Sequence, residues 1–208
     1  MSLLARLSHD RERMKDAIET GTSFQVLVMG AIFIAFVGLG TEIVRLVMGE
    51  RWMPVLRIFP FIAAGVVVNS GFMLYSSALS VIGAWRDITV FHVVHVLVFA
   101  TAAAGFVGLM HDPVGYGWAE IVACVSYWWI RRSMHQRLFS VAERRLYVTM
   151  AATISLMALL SAMAGSLLWL RLVTLACAVA LLIRFSPGNF ALLSWLKRSQ
   201  SGQRSSVP

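Results

Sequence analysis

A stripe of polar and small residues inside a long apolar run is the first feature of this chain that could do chemistry. The run extends from Ile58 to Trp85 without one Asp, Glu, Lys or Arg. As a helix it would be about 42 Å long, more than the roughly 30 Å of bilayer hydrocarbon. At 100° per residue, one face of this helix carries Gly65, Asn69, Met73, Ser76 and Ser80. We expect such a stripe to face protein or a water-filled cavity, although hydroxyl and small residues also hold membrane helices together.

Three ionisable residues at or near membrane depth are further candidates. Glu120 lies in the apolar run from Val114 to Ile130, where an ionised carboxylate needs a partner or water. It is either a functional acid, a carboxylate satisfied by an interhelix hydrogen bond, or one that snorkels to the outer face. Arg45 closes the first apolar run and Arg57 opens the second, and both could hold a phosphate through bidentate hydrogen bonds. They could equally be snorkelling ends of helices.

Motifs of soluble enzymes are absent from the sequence. There is no phosphate-binding Gly-rich loop, nucleophile elbow or zinc-binding His pair on one helical turn. His92 and His95 could relay protons or bind a metal, but they lie close to the end of a run and read better as interfacial residues. We therefore predict no catalytic residue, metal site or cofactor, and a protein that is not an enzyme.

The composition places these residues in a polytopic membrane protein. Hydrophobic residues make up 59% of the chain, charged residues 13%, and the mean hydropathy is +0.76. An ordinary soluble domain has an apolar share nearer half and a charged share nearer a quarter. The net charge of +8 is explained by its distribution along the loops, so nucleic acid is not an expected partner and the lipid bilayer is.

The hydropathy pattern predicts an all-α fold with six transmembrane helices. Residues 1–20 form an amphipathic segment, which is either a surface-lying helix or a solvated linker helix. Residues 21–185 form the transmembrane part, and residues 186–208 a tail that is disordered towards its end. The predicted spans are Ser23–Thr41, Ile58–Trp85, Ile88–Met110, Val114–Ile130, Leu146–Ala164 and Trp169–Phe185, with a tight turn at Arg86 and Asp87.

The distribution of Lys and Arg predicts the orientation. Six spans place fourteen of the 18 basic residues on the side of the two termini and four, which include Arg171, on the other. The cytoplasmic side of a membrane protein carries the excess of Lys and Arg. Both termini are therefore expected in the cytoplasm, with Arg45 and Arg57 at the outer face.

Four segments follow one another in a distinctive order: an amphipathic segment, a first span that ends in EIVRLVMGERW, a long helix that ends in SALSVIGAWRD, and the run GYGWAE at Gly115–Glu120. In this order they resemble the second half of the lipid-linked oligosaccharide flippases. In those exporters a G-x-x-W, an Arg a few residues on, and a helix closing in a Gly and basic turn recur; here they are Gly49, Trp52, Arg57, Gly83 and Arg86. The exporters belong to the multidrug/oligosaccharidyl-lipid/polysaccharide exporter superfamily.

The resemblance implies one six-helix lobe of a twelve-helix exporter in the bacterial inner membrane. Its substrate would be a polyprenyl-pyrophosphate-linked oligosaccharide. Arg45, Arg57, Asn69, Ser76 and Ser80 would face the path, and cation coupling would fall to Glu120. A rocking mechanism needs a second lobe, so we expect a separate partner chain, a homodimer or an inactive truncated copy. The alternative is a non-transporting subunit or scaffold of a polysaccharide-assembly complex, and a membrane-embedded glycan-modifying enzyme comes third.

Overall fold

The structure, a computed structural model, describes residues 10–138, 144–163 and 168–185. All secondary structure in these ranges is helical, as the sequence predicts. The helices are α1 (Arg11–Val47), α2 (Phe59–Val81), α3 (Trp85–Met110), α4 (Val114–Ala123), α5 (Tyr127–Arg137), α6 (Arg144–Ala162) and α7 (Leu168–Phe185). Two 3₁₀ segments, Glu50–Arg57 and Cys124–Ser126, precede α2 and join α4 to α5.

Among the described residues, three helices are long and apolar enough to cross a membrane: α1, α2 and α3. The apolar parts of α6 and α7, Leu146–Ala162 and Leu168–Ala180, are shorter. The predicted fourth span forms α4, the 3₁₀ turn and the start of α5 in succession. The described part of the chain is thus all-helical and contains helices suited to crossing a membrane, and six spans remain a prediction. The tail at residues 186–208 and the segment before Asp10 lie outside the described residues.

Helix α1 is longer than the predicted first span. It is 37 residues long, about 56 Å of helix, and it runs through residue 20 without a break. Asp10 caps its N-terminus, where the carboxylate accepts a hydrogen bond from the backbone N–H of Arg13 at 3.1 Å. Met14 and Ile18, from the predicted amphipathic segment, are completely or almost completely buried. The apolar side of that segment therefore packs within the protein.

The turn between α2 and α3 lies earlier than predicted. Helix α2 ends at Val81 and Gly83 has a φ of 74°, a left-handed conformation that favours glycine. Arg86 and Asp87, which were expected to form the turn, belong to the first turn of α3 instead. The prediction was wrong because it took the end of the uncharged run as the end of the helix. A glycine in a left-handed conformation ends a helix wherever the charged residues lie. Asp87 pairs there with Arg137 at the end of α5.

Helix α2 is the centre of the bundle. It packs against α1, α4, α5 and α6, and its fully buried side chains include Tyr75 and Leu79. Glycines allow the close approach of neighbouring helices. A Cβ on Gly71 would lie 3.0 Å from the sulfur of Met150 on α6, and one on Gly21 of α1 would lie 2.7 Å from Leu74. Side chains on α2 therefore face four different helices.

Helix α3 lies at the edge of the bundle. Within its described residues only Phe91 and Ala103 are buried, and its main neighbour is α4. The two helices touch through their backbones at Gly115, where a Cβ would lie 2.6 Å from the backbone nitrogen of Val107. The left-handed His111, with a φ of 50°, ends α3 and turns the chain back.

The Gly115→Ala substitution should destabilise the protein by about 1 to 3 kcal/mol. The added methyl group meets backbone atoms of α3, which cannot rotate away as a side chain could. Gly108→Ala is the matched control, because nothing lies within 4 Å of a Cβ at that position. Thermal unfolding of the purified protein in detergent, followed by tryptophan fluorescence, measures both changes. Equal melting temperatures for the two variants would contradict the close contact between α3 and α4.

Candidate functional site

The polar stripe predicted on α2 lies on a partly open surface of the protein, which we call the polar face. Asn69 is exposed, Met73 is 54% exposed, and Ser76 and Ser80 are half-buried. The Ser80 hydroxyl donates a hydrogen bond to the carbonyl of Ser76 at 3.0 Å, so it is satisfied within the helix. The Asn69 side chain makes no hydrogen bond to any described part of the chain. Its amide is therefore a polar group of this face that still needs a partner.

The structure adds Gln25 of α1 to the polar face. Its side-chain amide nitrogen lies 2.9 Å from the sulfur of Met73, to which it donates a hydrogen bond. Gln25 was not among the residues predicted from the sequence. The signal was available, because Gln25 is the one amide side chain between Ser23 and Thr41, and amides are costly to place in hydrocarbon.

Glu120 of α4 lies against Gly65, at one end of the same face. Its Cγ and Oε1 atoms lie 2.6 and 2.5 Å from the position that a Cβ on Gly65 would occupy. The carboxylate is half-buried and makes no hydrogen bond or ion pair with the described residues. The fold thus brings the predicted acid next to the predicted stripe, because Asn69 lies one helical turn after Gly65.

Arg45 and Arg57 belong to two separate ion pairs. Arg45 lies 2.8 Å from Glu50, and both side chains are well exposed. Arg57 lies 2.6 Å from Asp112 in the turn between α3 and α4. Each guanidinium therefore already has a carboxylate partner, and a phosphate would share it or displace it. Asp112 was not recognised as a partner from the sequence.

A third arginine is itself buried and forms an ion pair. Arg171, near the start of α7, is 5% exposed and donates hydrogen bonds to both carboxylate oxygens of Glu42 near the end of α1. It also donates to the carbonyl of Gly38 at 3.4 Å. The sequence placed both residues at the same end of their helices, but nothing in their spacing predicted the pairing. The pair ties α7 to α1.

The two histidines of α3 have different surroundings. His95 is half-buried, and its Nδ1 lies 2.8 Å from the Ser126 hydroxyl in the 3₁₀ turn between α4 and α5. His92 is exposed. The described ranges contain no group of three or more His, Cys, Asp or Glu residues that could hold a metal ion. The hydrogen bond of His95 links α3 to its neighbours.

The chain matches no protein-family model, no curated protein and no solved structure. The features of the chain that bear on its function are therefore the polar face and the ion pairs.

Removing Glu42 should destabilise the protein strongly. Glu42→Ala leaves the buried guanidinium of Arg171 without its carboxylate. Because Glu42 itself is partly exposed, we expect a loss of about 2 to 3 kcal/mol, somewhat less than for a fully buried pair. The Glu42→Gln/Arg171→Met double variant should recover much of this loss, because it buries no charge. Chemical unfolding in mixed micelles measures the free energy of unfolding.

Glu50→Ala is the matched control for this experiment. It removes a carboxylate from an arginine at the same end of α1, but the Arg45–Glu50 pair is exposed. Exposed pairs add little to stability, so the control should unfold like the wild type. A loss as large as that of Glu42→Ala would show that burial of Arg171 is not the cause.

The Arg57–Asp112 pair should lose its stabilising effect on the fold only at acidic pH. The backbone N–H of Val114 and the guanidinium of Arg57 hold the pKa of Asp112 below its ordinary value of 3.8. A carboxyl group whose pKa is lowered on folding stabilises the fold at every pH above its unfolded-state pKa. This stabilisation is lost as the pH falls through the folded-state pKa. The melting-temperature difference between wild type and Asp112→Asn should stay constant from about pH 5 to 8, begin to shrink near pH 4, and disappear only below the lowered pKa of the folded state.

Asp112→Ala separates the two partners of this carboxylate. The Oδ1 atom of Asp112 accepts a hydrogen bond from Val114 at 2.9 Å, which Asn can replace and Ala cannot. At neutral pH, Ala should therefore melt below Asn. If the Asp112→Asn and Asp112→Ala variants had the same melting temperature, the hydrogen bond to the backbone would not contribute to stability.

Proposed function

We propose that this protein is one lobe of a membrane transporter for a polyprenyl-pyrophosphate-linked oligosaccharide. The polar face of α2, extended by Gln25 and Glu120, is one wall of the transport path. The glycan-lipid substrate comes from the resemblance of the sequence to lipid-linked oligosaccharide flippases. In this proposal the protein lies in the bacterial inner membrane with both termini in the cytoplasm.

The open amide of Asn69 is the observation that carries this proposal. It lies on a membrane-spanning helix, is exposed, and has no hydrogen-bond partner in the described residues. An unsatisfied polar group in hydrocarbon costs several kcal/mol. A water-filled cavity or another protein removes this cost, and a lipid tail does not. Gln25 and Glu120 beside it make the polar area larger than one residue.

A cavity needs a second wall. The helices described here leave Asn69 and Met73 uncovered, so we assign the opposite wall to a second six-helix lobe. That lobe is either a separate chain or a second copy in a homodimer. Two lobes that rock about a polar site near mid-membrane would give alternating access.

The ionisable residues take separate roles in this scheme. Arg45 and Arg57, at the outer end of the first two spans, receive the pyrophosphate through their remaining guanidinium donors. Ser76 and Ser80 continue the wall towards the cytoplasm. Glu120, half-buried without a hydrogen-bond or ion-pair partner among the described residues, is the group for cation coupling, because carboxylates at membrane depth mark the pathways of ions and substrates.

Asn69→Leu should reduce glycan export about tenfold, the effect of losing one buried hydrogen bond to a charged or polar substrate. The assay uses cells that lack the gene and carry each variant at equal expression, and it measures surface glycan and the lipid-linked precursor in the membrane. Thr101→Leu is the matched control, because Thr101 is an exposed polar residue of α3 away from the polar face. Equal export by the two variants would contradict the proposal that the polar face lines the transport path.

The arginines are tested in the same cells. The Arg45→Ala/Arg57→Ala double variant should abolish export, whereas Arg51→Ala removes an exposed cation of the same end and should not. Normal export by the double variant would contradict the pyrophosphate role. If the gene deletion left export unchanged and the protein co-purified with a glycosyltransferase, the non-transporting subunit would be the better assignment.

A further inference from the structure

An apolar groove opens on the side of α2 next to the polar face. It has a volume of about 610 Å³, within the range of roughly 300 to 1,000 Å³ that is typical of ligand pockets. Helices α2, α5 and α6 form its walls, together with the 3₁₀ turn between α4 and α5. The rings of Phe72 and Tyr127, stacked at 5.2 Å and both buried, form a rigid part of its lining. An apolar chain would lie against aromatic and aliphatic side chains here.

One end of the groove is basic. A smaller pocket of about 280 Å³ is lined by Trp128, Arg131, Arg132, His135 and Gln136. It shares Trp128 and Arg131 with the apolar groove, so the two lie side by side. Arg132 lies over the Trp128 ring with its guanidinium carbon 5.3 Å from the ring centroid. No Asp or Glu among the described residues lines either pocket.

We infer that the groove and the basic pocket together form a binding site for an anionic phospholipid. The phosphate binds Arg131 and Arg132, since guanidinium groups offer it several parallel hydrogen bonds. One acyl chain lies along Phe72 and Tyr127. Trp128, half exposed at the junction, marks the boundary between headgroup and hydrocarbon, where tryptophan is favoured. This site does not depend on the proposed transport function.

The depth of the groove favours a phospholipid over a polyprenyl lipid. Along the chain the lining runs from Cys124 to Arg131, a distance of about 10 Å in a helix. One leaflet of the hydrocarbon is about 15 Å deep, so the groove holds most of one acyl chain. A polyprenyl chain that is longer than a leaflet would extend beyond it. The basic end is also the one predicted to face the cytoplasm, whose leaflet carries anionic lipids.

Native mass spectrometry of the full-length protein, titrated with phosphatidylglycerol and separately with phosphatidylethanolamine, tests the site. The wild type should retain phosphatidylglycerol more tightly than phosphatidylethanolamine. Arg131→Gln and Arg132→Gln should each weaken the binding of phosphatidylglycerol about fivefold, the effect of one arginine near an anionic lipid. Ala151→Trp, which fills the groove from α6, should weaken both lipids.

Two variants provide matched controls. Arg144→Gln removes an exposed charge at the same end, and Ala152→Trp adds the same bulk beside Ala151; neither residue lines the groove or the basic pocket. Both should bind phosphatidylglycerol like the wild type, and a melting temperature recorded for every variant shows that it is folded. The proposal is overturned if controls and site variants lose lipid equally, if the two lipids bind equally, or if polyprenyl phosphate displaces phosphatidylglycerol.

Discussion

The packing of α2 against α1, α4, α5 and α6 is the interaction on which the rest of this structure depends. Between membrane helices there is little hydrophobic driving force, so close van der Waals contact has to hold them together. Glycines allow that contact at Gly65 and Gly71 on α2 and at Gly117 on α4, where a Cβ would lie 2.8 Å from the ring of Phe61. Because α2 has neighbouring helices on several sides, its side chains face several different regions of the protein.

Two of these surfaces differ in chemistry although they share one helix. Asn69 and Met73 lie on the polar face, whereas Val68 and Phe72 line the apolar groove. Consecutive residues are about 100° apart on a helix, so a change of one position moves a side chain from one surface to the other. This arrangement puts the proposed transport path and the proposed lipid site beside each other, and packing of α2 affects both.

The polar side chains differ in whether they have a hydrogen-bond partner within the protein, and this difference separates structural from functional residues. Arg171 pairs with Glu42, and His95 is bonded to Ser126; such groups hold helices together. Asn69 and Glu120 have no side-chain hydrogen bond in the described part of the chain. A membrane protein keeps costly groups of this kind where they act on a substrate, an ion or a partner. This contrast, more than the number of polar residues, is what points to the polar face.

The sequence alone determined the all-helical class, the membrane-spanning character and the face that Gly65, Asn69, Met73 and Ser76 share. Each of these follows from composition or from a local period, which needs no knowledge of neighbouring helices. The end of α2, at Val81 just before Gly83, was misplaced, because the charged residues Arg86 and Asp87 look like a turn and belong to α3.

Only the tertiary structure decided which residues meet. Glu120 contacts Gly65, Gln25 contacts Met73, and Arg171 pairs with Glu42 across 129 residues of sequence. A hydropathy pattern gives the rotation of a residue on its own helix but not the order of helices around the bundle. The same limit hid the groove at Phe72 and Tyr127, since its walls come from helices far apart in the chain. Contacts between separate helices depend on how glycines and large side chains fit together, and that fit exists only in the assembled bundle.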